Sequence, residues 1–185
     1  MKIEKTELVD AVIITPDVFG DDRGWFMETY SKSTLKGVLD MEFVQDNQSY
    51  SSQKGIIRGL HCQLEPHSQS KLIRCTKGAI YDVIVDIRKG SPTYKKWIRV
   101  LLSEENKKQL FVPKGFLHAI ETLTENVEVQ YKVDAYFNKE TDRSIRFDDP
   151  EFGVIWETKN PILSDKDKNA PLFKDSDCTF IYQEK

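Results

Sequence analysis

The feature that most constrains the fold is the unbroken alternation between Asn126 and Phe137. Val127, Val129, Tyr131, Val133, Ala135 and Phe137 fall on one side, and Asn126, Glu128, Gln130, Lys132 and Asp134 on the other. Successive side chains on an extended strand point to opposite faces, so this pattern predicts a strand with an apolar inner face. Residues 79–88 repeat it, with Tyr81, Val83, Val85 and Ile87 opposed to Asp82, Asp86 and Arg88. Further strands are expected at 11–15, 24–30, 42–50, 56–63, 71–76, 97–102, 109–112, 116–123 and 143–147. Turn signals separate several of them, among them Gly20-Asp21-Asp22, Lys77-Gly78, Lys89-Gly90-Ser91-Pro92 and Pro113-Lys114-Gly115.

Helix is scarce. Ser31–Lys36, stopped by Gly37, predicts about two turns, and Ser103 before Glu104 and Glu105 reads as an N-cap with acids in the first turn. Many short strands without crossover helices predict an all-β fold, a jelly-roll barrel with a few short helices. With 185 residues the chain suits one domain. The polar stretch from about 157 to 185, with Pro161 and Pro171, is expected to wrap the barrel.

Charge narrows the function. Lysines and arginines number 27 against 30 acids, a net charge of -3, and the two signs are interspersed. That excludes the basic surface of a nucleic-acid binder but leaves room for a few arginines on a small anion. No apolar run is long enough for a membrane span or a signal peptide. Cys62, Cys75 and Cys178 lack metal-type spacing, and reduced cysteines predict a cytoplasmic protein.

The three histidines are informative because they are few. His67, in Glu65-Pro66-His67-Ser68, is expected on the solvated surface. His61 lies in Arg58-Gly59-Leu60-His61-Cys62-Gln63, and His118 follows Pro113-Lys114-Gly115-Phe116-Leu117. Taken alone, His61 reads as a core histidine. The Pro-x-Gly-x-x-His around His118 resembles the second motif of the cupin barrels, whose metal sites take a His-x-His pair and a glutamate from the first. Gln63 stands two residues after His61, so a metal would find only two imidazoles, and a metal-free barrel is favoured. In such a barrel a histidine can act as a general base if a carboxylate holds its tautomer. A proton beside a carbonyl becomes removable when a cation or donor stabilises the enolate, and inversion needs an acid on the opposite face. Lys71, which shares parity with Ile73 and Cys75, and the inward Tyr131 are candidates for those two parts. Arg58 and His61, three residues apart, would face opposite ways on a regular strand unless Gly59 hosts a bulge.

These pieces together resemble the dTDP-4-dehydrorhamnose 3,5-epimerases, a cupin-like jelly-roll family, over nearly the whole chain. The resemblance rests on Asp22-Arg23-Gly24 with Phe26 and Glu28, Phe43-Val44-Gln45-Asp46-Asn47 with Ser49, and Arg58-Gly59-Leu60-His61 with Gln63. It continues through Gln69-Ser70-Lys71-Leu72, Asp82-Val83 with Asp86, Pro113-Lys114-Gly115-Phe116 with His118, Tyr131-Lys132, and Leu163-Ser164-Asp165-Lys166-Asp167. It implies His61 as base, Asp167 as the carboxylate that orients it, Tyr131 as acid and Lys71 beside the keto oxygen. It implies nucleotide and sugar contacts from Arg23, Phe26, Glu28, Gln45, Asn47, Arg58, His118 and Lys166, with the arginines suited to a diphosphate.

There are three departures from the family pattern. Ala119-Ile120 follow His118 where Gly-Phe is usual, Phe137 replaces a tyrosine that stacks on thymine, and Asp142 replaces a glutamate at a peripheral contact. The implied activity is epimerisation of dTDP-4-dehydro-6-deoxy-D-glucose at C3 and C5, without cofactor or metal, in dTDP-L-rhamnose biosynthesis. Alternatives are an epimerase of C3 alone or a keto-isomerase of a related sugar, a non-catalytic sugar-nucleotide-binding barrel, and a metal-dependent cupin. A homodimer is expected, in which the N-terminal strand with Arg23, Phe26 and Glu28 completes the partner's site.

Overall fold

The computed structural model describes residues 1–184. In chain order the strands are β1 (Lys2–Lys5), β2 (Val12–Thr15), β3 (Val18–Asp21), β4 (Gly24–Met27), β5 (Gln45–Ser51), β6 (Ile57–Gln63), β7 (Lys71–Lys77) and β8 (Ala79–Asp86). They continue with β9 (Arg88–Lys89), β10 (Trp97–Ser103), β11 (Gln109–Val112), β12 (Phe116–Thr122), β13 (Val127–Val133) and β14 (Asp142–Ser144). Then come the one-turn helix α1 (Asp165–Lys168), a 3-10 turn at Phe173–Asp175 and β15 (Phe180–Ile181).

Two sheets face each other. One runs β1-β2-β11-β7-β13-β5 and the other β10-β8-β12-β6-β14. Their inner faces enclose a core that includes Ile73, Ile80, Ile84, Leu102, Leu110, Val127 and Val129. Each fully buried aliphatic side chain of that kind contributes roughly 1.5–3 kcal/mol. This is the jelly-roll barrel that the sequence predicts, all antiparallel within the two large sheets.

The alternation in 79–88 is real, but its sides are reversed from a simple apolar-in pattern. Ile80, Asp82 and Ile84 point into the barrel, whereas Val83, Val85 and Ile87 pack outward under Phe152, Phe173, Cys178 and Phe180. An acid can face inward because a partner meets it: Asp82 lies against His118. The apolar outer face stays dry because residues after β14 lie across it. Buried Glu121 pins that return, its carboxylate accepting from the backbone N–H of Glu157 (3.0 Å) and Thr158 (2.6 Å).

Other expectations need correction. Residues 31–36 form turns rather than helix, anchored by buried Leu35 and Leu39 against the outer face of the first sheet. Ser103 does cap, accepting from Asn106 N–H at 3.0 Å, but it closes a single turn at the end of β10. The strand expected to reach Phe137 ends at Val133, where Asp134 turns aside to accept from the Ser70 N–H at 2.7 Å. His67 is half-buried rather than solvated, and its backbone carbonyl accepts from Gln63 at 2.6 Å. The short strands β1, β3 and β15 were not anticipated from the pattern.

Candidate active site

Gly59 decides how β6 presents its side chains. Its φ is +138°, and a Cβ there would sit 2.2 Å from the Ala119 Cβ and 2.7 Å from the His118 carbonyl oxygen. Only glycine fits so close a backbone approach. The pairing of β6 with β12 slips between His118 and Ile120, which is the irregularity needed to bring Arg58 and His61 to the same cleft.

The cleft has two lobes. The larger, of about 470 Å³, is lined by Arg58, His61, Lys71, His118, Tyr131 and Asp167 together with Ser49, Ser164 and an apolar wall that includes Ile57, Ile120, Val129, Ile162 and Leu163. The smaller, of about 270 Å³, is lined by Gln45, Asn47, His61, Lys71, Tyr131, Phe137, Asp142 and Lys166, with Gln63 and Gln69. His61, Lys71 and Tyr131 belong to both, so they form the waist between the lobes.

His61 reaches the waist from β6, and α1 brings Asp167 to it. His61 Nε2 lies 2.6 Å from Asp167 Oδ1; the histidine side chain is 28% exposed and the aspartate 4%. Burial disfavours charge on Asp167, but hydrogen bonds from His61 and Ser164 outweigh it and hold the carboxyl below its usual range. Against an ionised carboxylate the neutral ring donates its Nε2–H, which leaves Nδ1 unprotonated. Ser164 caps α1: its hydroxyl accepts from the Asp167 N–H at 3.2 Å and donates to Asp167 Oδ2 at 2.9 Å.

Lys71 enters from β7. Burial pushes its ammonium below the ordinary lysine value, while Asp82 and Asp142 partly restore it. Tyr131 arrives from β13 on the inward face that its parity assigns. Burial raises its phenol above the ordinary tyrosine value, against the opposing charge of Arg58. His118, on β12, is held by Asp82 through a hydrogen bond between Nε2 and Oδ2 at 3.1 Å, and burial keeps its ring below the ordinary histidine range.

At the rim, Arg58 donates to Ser51 Oγ at 3.1 Å and to the Tyr50 carbonyl at 3.0 Å. Gln45 donates to Asn47 Oδ1 at 2.8 Å and accepts from the Phe137 N–H at 3.1 Å, which sets the exposed Phe137 ring over the smaller lobe. Lys166 pairs with Asp142. Of the predicted site residues, only Arg23, Phe26 and Glu28 lie outside the cleft. They belong to the β3–β4 hairpin and its exit: Arg23 pairs with Asp21, Glu28 accepts from Thr34, and Phe26 stands 70% exposed.

Neither Asp82 nor Ser164 is given a part from the sequence. Ser164 was findable, since Ser164-x-x-Asp167 is a capping signature; Asp82 was not, because the pattern of its strand does not say which face looks inward. Among the described residues no group of three or more His, Cys, Asp or Glu is placed to hold a metal ion, and no helix is long and apolar enough to cross a membrane.

A jelly roll with a carboxylate-held histidine, a half-buried lysine and a half-buried tyrosine around one cleft has the makings of a proton-transfer isomerase. Comparison with known proteins makes the class specific. The family model described as dTDP-4-dehydrorhamnose 3,5-epimerase matches residues 5–175. The enzyme of that name from Shigella flexneri is 47% identical over 179 residues, covering 96% of this chain and 98% of the relative. A crystal structure from Legionella pneumophila Philadelphia 1, in complex with dTDP-4-keto-L-rhamnose, is 38% identical at a TM-score of 0.93 and covers 99% of each chain. One from Bacillus anthracis str. Ames, with TDP and PPi bound, is 49% identical at a TM-score of 0.90 and covers 92% of this chain and 98% of the other. The chain belongs to the dTDP-4-dehydrorhamnose 3,5-epimerase family.

Proposed function

We propose that this protein epimerises dTDP-4-dehydro-6-deoxy-D-glucose at C3 and C5 to give dTDP-4-dehydro-L-rhamnose, as a step of dTDP-L-rhamnose biosynthesis. The observation that carries this reading is the waist. One carboxylate-held histidine, one lysine and one tyrosine border both lobes of a single cleft.

C3 and C5 both flank the C4 ketone, so one base and one oxygen site serve both carbons if the ring shifts between steps. His61 Nδ1 removes the proton, the electron pair of the broken C–H bond moves toward the ketone oxygen, and the Lys71 ammonium stabilises the enolate. Tyr131 returns a proton from the opposite face. Its raised phenol value keeps it protonated at neutral pH, as an acid requires. Asp167 holds the His61 tautomer and offsets the charge that the ring gains. Arg58 and Lys166 suit the diphosphate, Phe137 offers a stacking surface to thymine, and Gln45 and Asn47 supply hydrogen bonds at the smaller lobe. His118 and Asp142 border the sugar side and the rim.

A homodimer completes the site in this reading. The β3–β4 hairpin projects Phe26 and Arg23 into solvent with no cleft of its own chain to fill. A partner's smaller lobe would receive them together with Glu28. The chain acts as one domain with 157–184 wrapped around it, and its three free thiols suit the cytoplasm.

The test is proton exchange from heavy water into the 4-keto sugar nucleotide. Wild type is expected to place deuterium at C3 and C5, and His61→Ala to lose exchange by roughly 10²–10⁴-fold. Tyr131→Phe is expected to wash label in while failing to invert. Exchange at the wild-type rate in His61→Ala would remove His61 as base, and label at C3 alone would reduce the activity to a single epimerisation.

A further inference from the structure

The residue after His61 borders the smaller lobe, yet its sulfur meets an unusual neighbour. Cys62 on β6 and Cys178 in the C-terminal stretch lie 116 positions apart in sequence, yet their sulfurs are 3.8 Å from each other. Both side chains are buried in the same outer cluster, among Leu60, Val83, Phe152 and Phe180. A disulfide needs the sulfurs about 2.0 Å apart, so the two thiols stand in van der Waals contact, one short shift from bonding. Packing of two cysteines at this distance has no part in the proton transfer proposed for the cleft, and the inference does not depend on it.

We propose that Cys62 and Cys178 form a peroxide-sensitive dithiol whose oxidation fastens the C-terminal stretch to the strand that carries His61. The contact carries one S–H···S hydrogen bond that either thiol can donate. The sulfur that loses its proton is the nucleophile and its neighbour the resolving thiol, and the steps are the same with Cys178 or Cys62 attacking. With Cys178 first, its sulfur attacks one oxygen of hydrogen peroxide, the O–O bond breaks, and the products are a sulfenic acid and water. Cys62 sulfur then attacks the Cys178 sulfur, the S–O bond breaks, and hydroxide leaves with the Cys62 proton as a second water. In sum two thiols and one peroxide give one disulfide and two waters, with two electrons passing from sulfur to oxygen. A small neutral oxidant suits thiols that are 5% exposed.

Cys75 is the built-in control, since it is buried inside the barrel with its thiol directed at the Lys77 carbonyl. Burial raises that thiol to about 11, so it stays protonated and inert at neutral pH.

The experiment is hydrogen-peroxide titration of the purified full chain, quenched with an alkylating agent under denaturing conditions and read by intact mass and peptide mapping. Expected are a loss of about 2 Da, two fewer alkylated cysteines, a Cys62–Cys178 cross-linked peptide and reversal by a dithiol reductant. The oxidised protein is expected to melt at a higher temperature than the reduced one, because the bridge closes a long loop. Cys75→Ala is expected to keep the cross-link. Cys62→Ala is expected to lose it and to accumulate sulfenic acid at Cys178, trapped by a dimedone-type probe. Oxidation that adds oxygen to Cys75 first, yields only intermolecular disulfides, or leaves all three thiols alkylatable would overturn the proposal.

Discussion

At the scale of single residues, Lys71 carries the sharpest consequence for pH. An enolate is stabilised by the ammonium form, and burial lowers the pH at which that proton is lost. Tyr131 is shifted the other way, so it keeps its proton to higher pH than an ordinary tyrosine. The alkaline limb of kcat/KM is therefore expected to belong to Lys71 and to fall below the ordinary lysine value. Lys71→Arg should move that limb upward, and Lys71→Met should cost roughly 10²-fold in kcat/KM, both read from pH–rate profiles. An unmoved limb in Lys71→Arg would assign it to another group. Tyr131 and Lys71 were legible from parity alone, because a polar group on an apolar strand face announces itself. Asp167 was not. In the sequence Asp165-Lys166-Asp167-Lys168 is indistinguishable from a solvated charge run, and only the fold delivers one of its four side chains to His61.

At the scale of elements, α1 is one turn long and depends on its cap. Ser164→Ala removes both hydrogen bonds to Asp167 and is expected to cost about 1 kcal/mol in stability. It should also lower kcat more than it raises KM, since the histidine rather than the substrate loses its support. Equal effects on both constants would show a merely structural role. Strand β8 teaches a different lesson. Its period-2 pattern was readable, but which face looked inward was not, because burying an acid depends on partners far along the chain. Asp86, by contrast, is met by partners two, five and seven residues on. It accepts from Arg88 Nε and Nη2 at 2.9 Å each, from Ser91 Oγ at 2.6 Å and from Thr93 Oγ1 at 2.7 Å, while Arg88 also reaches Asp10 at 2.7 Å. Arg88→Met would leave a buried carboxylate without its cation, at a cost of about 3–5 kcal/mol in unfolding free energy. Burial opposes the Asp86 charge, but those bonds hold its carboxyl below the usual range. The stability it contributes is thus full above the unfolded carboxylate value and is lost as pH falls through the lower folded one. Denaturant melts at acidic and neutral pH check the sign: Arg88→Met should flatten the dependence.

At the scale of the whole molecule, the β3–β4 hairpin is the part that one chain does not explain. Phe19, Trp25 and Phe26 are 65%, 58% and 70% exposed, and Phe19 stands opposite Phe26 across the ladder. In the proposed dimer this apolar surface lies against the partner. Size-exclusion chromatography with light scattering is expected to report a dimer, and Trp25→Ala with Phe26→Ala to shift it toward monomer with loss of activity. A monomeric wild type with full activity would exclude the exchange. The barrel itself was legible, since its strands needed only local alternation and turns. The hairpin's first strand was not, for it contains Gly20 between polar and apolar neighbours and has no buried face to impose a pattern.

The partners His61 and Asp167 stand 106 positions apart along the chain. On a ribosome, where synthesis runs from the N-terminus at roughly 5–20 residues per second, His61 emerges many seconds before Asp167. The barrel strands can pair in that interval, but the histidine waits unsupported until α1 has left the exit tunnel and Glu121 has gathered in the segment before it. A nascent chain stalled anywhere before α1 therefore carries the cleft with His61 unheld, and the pair forms only once α1 has been made.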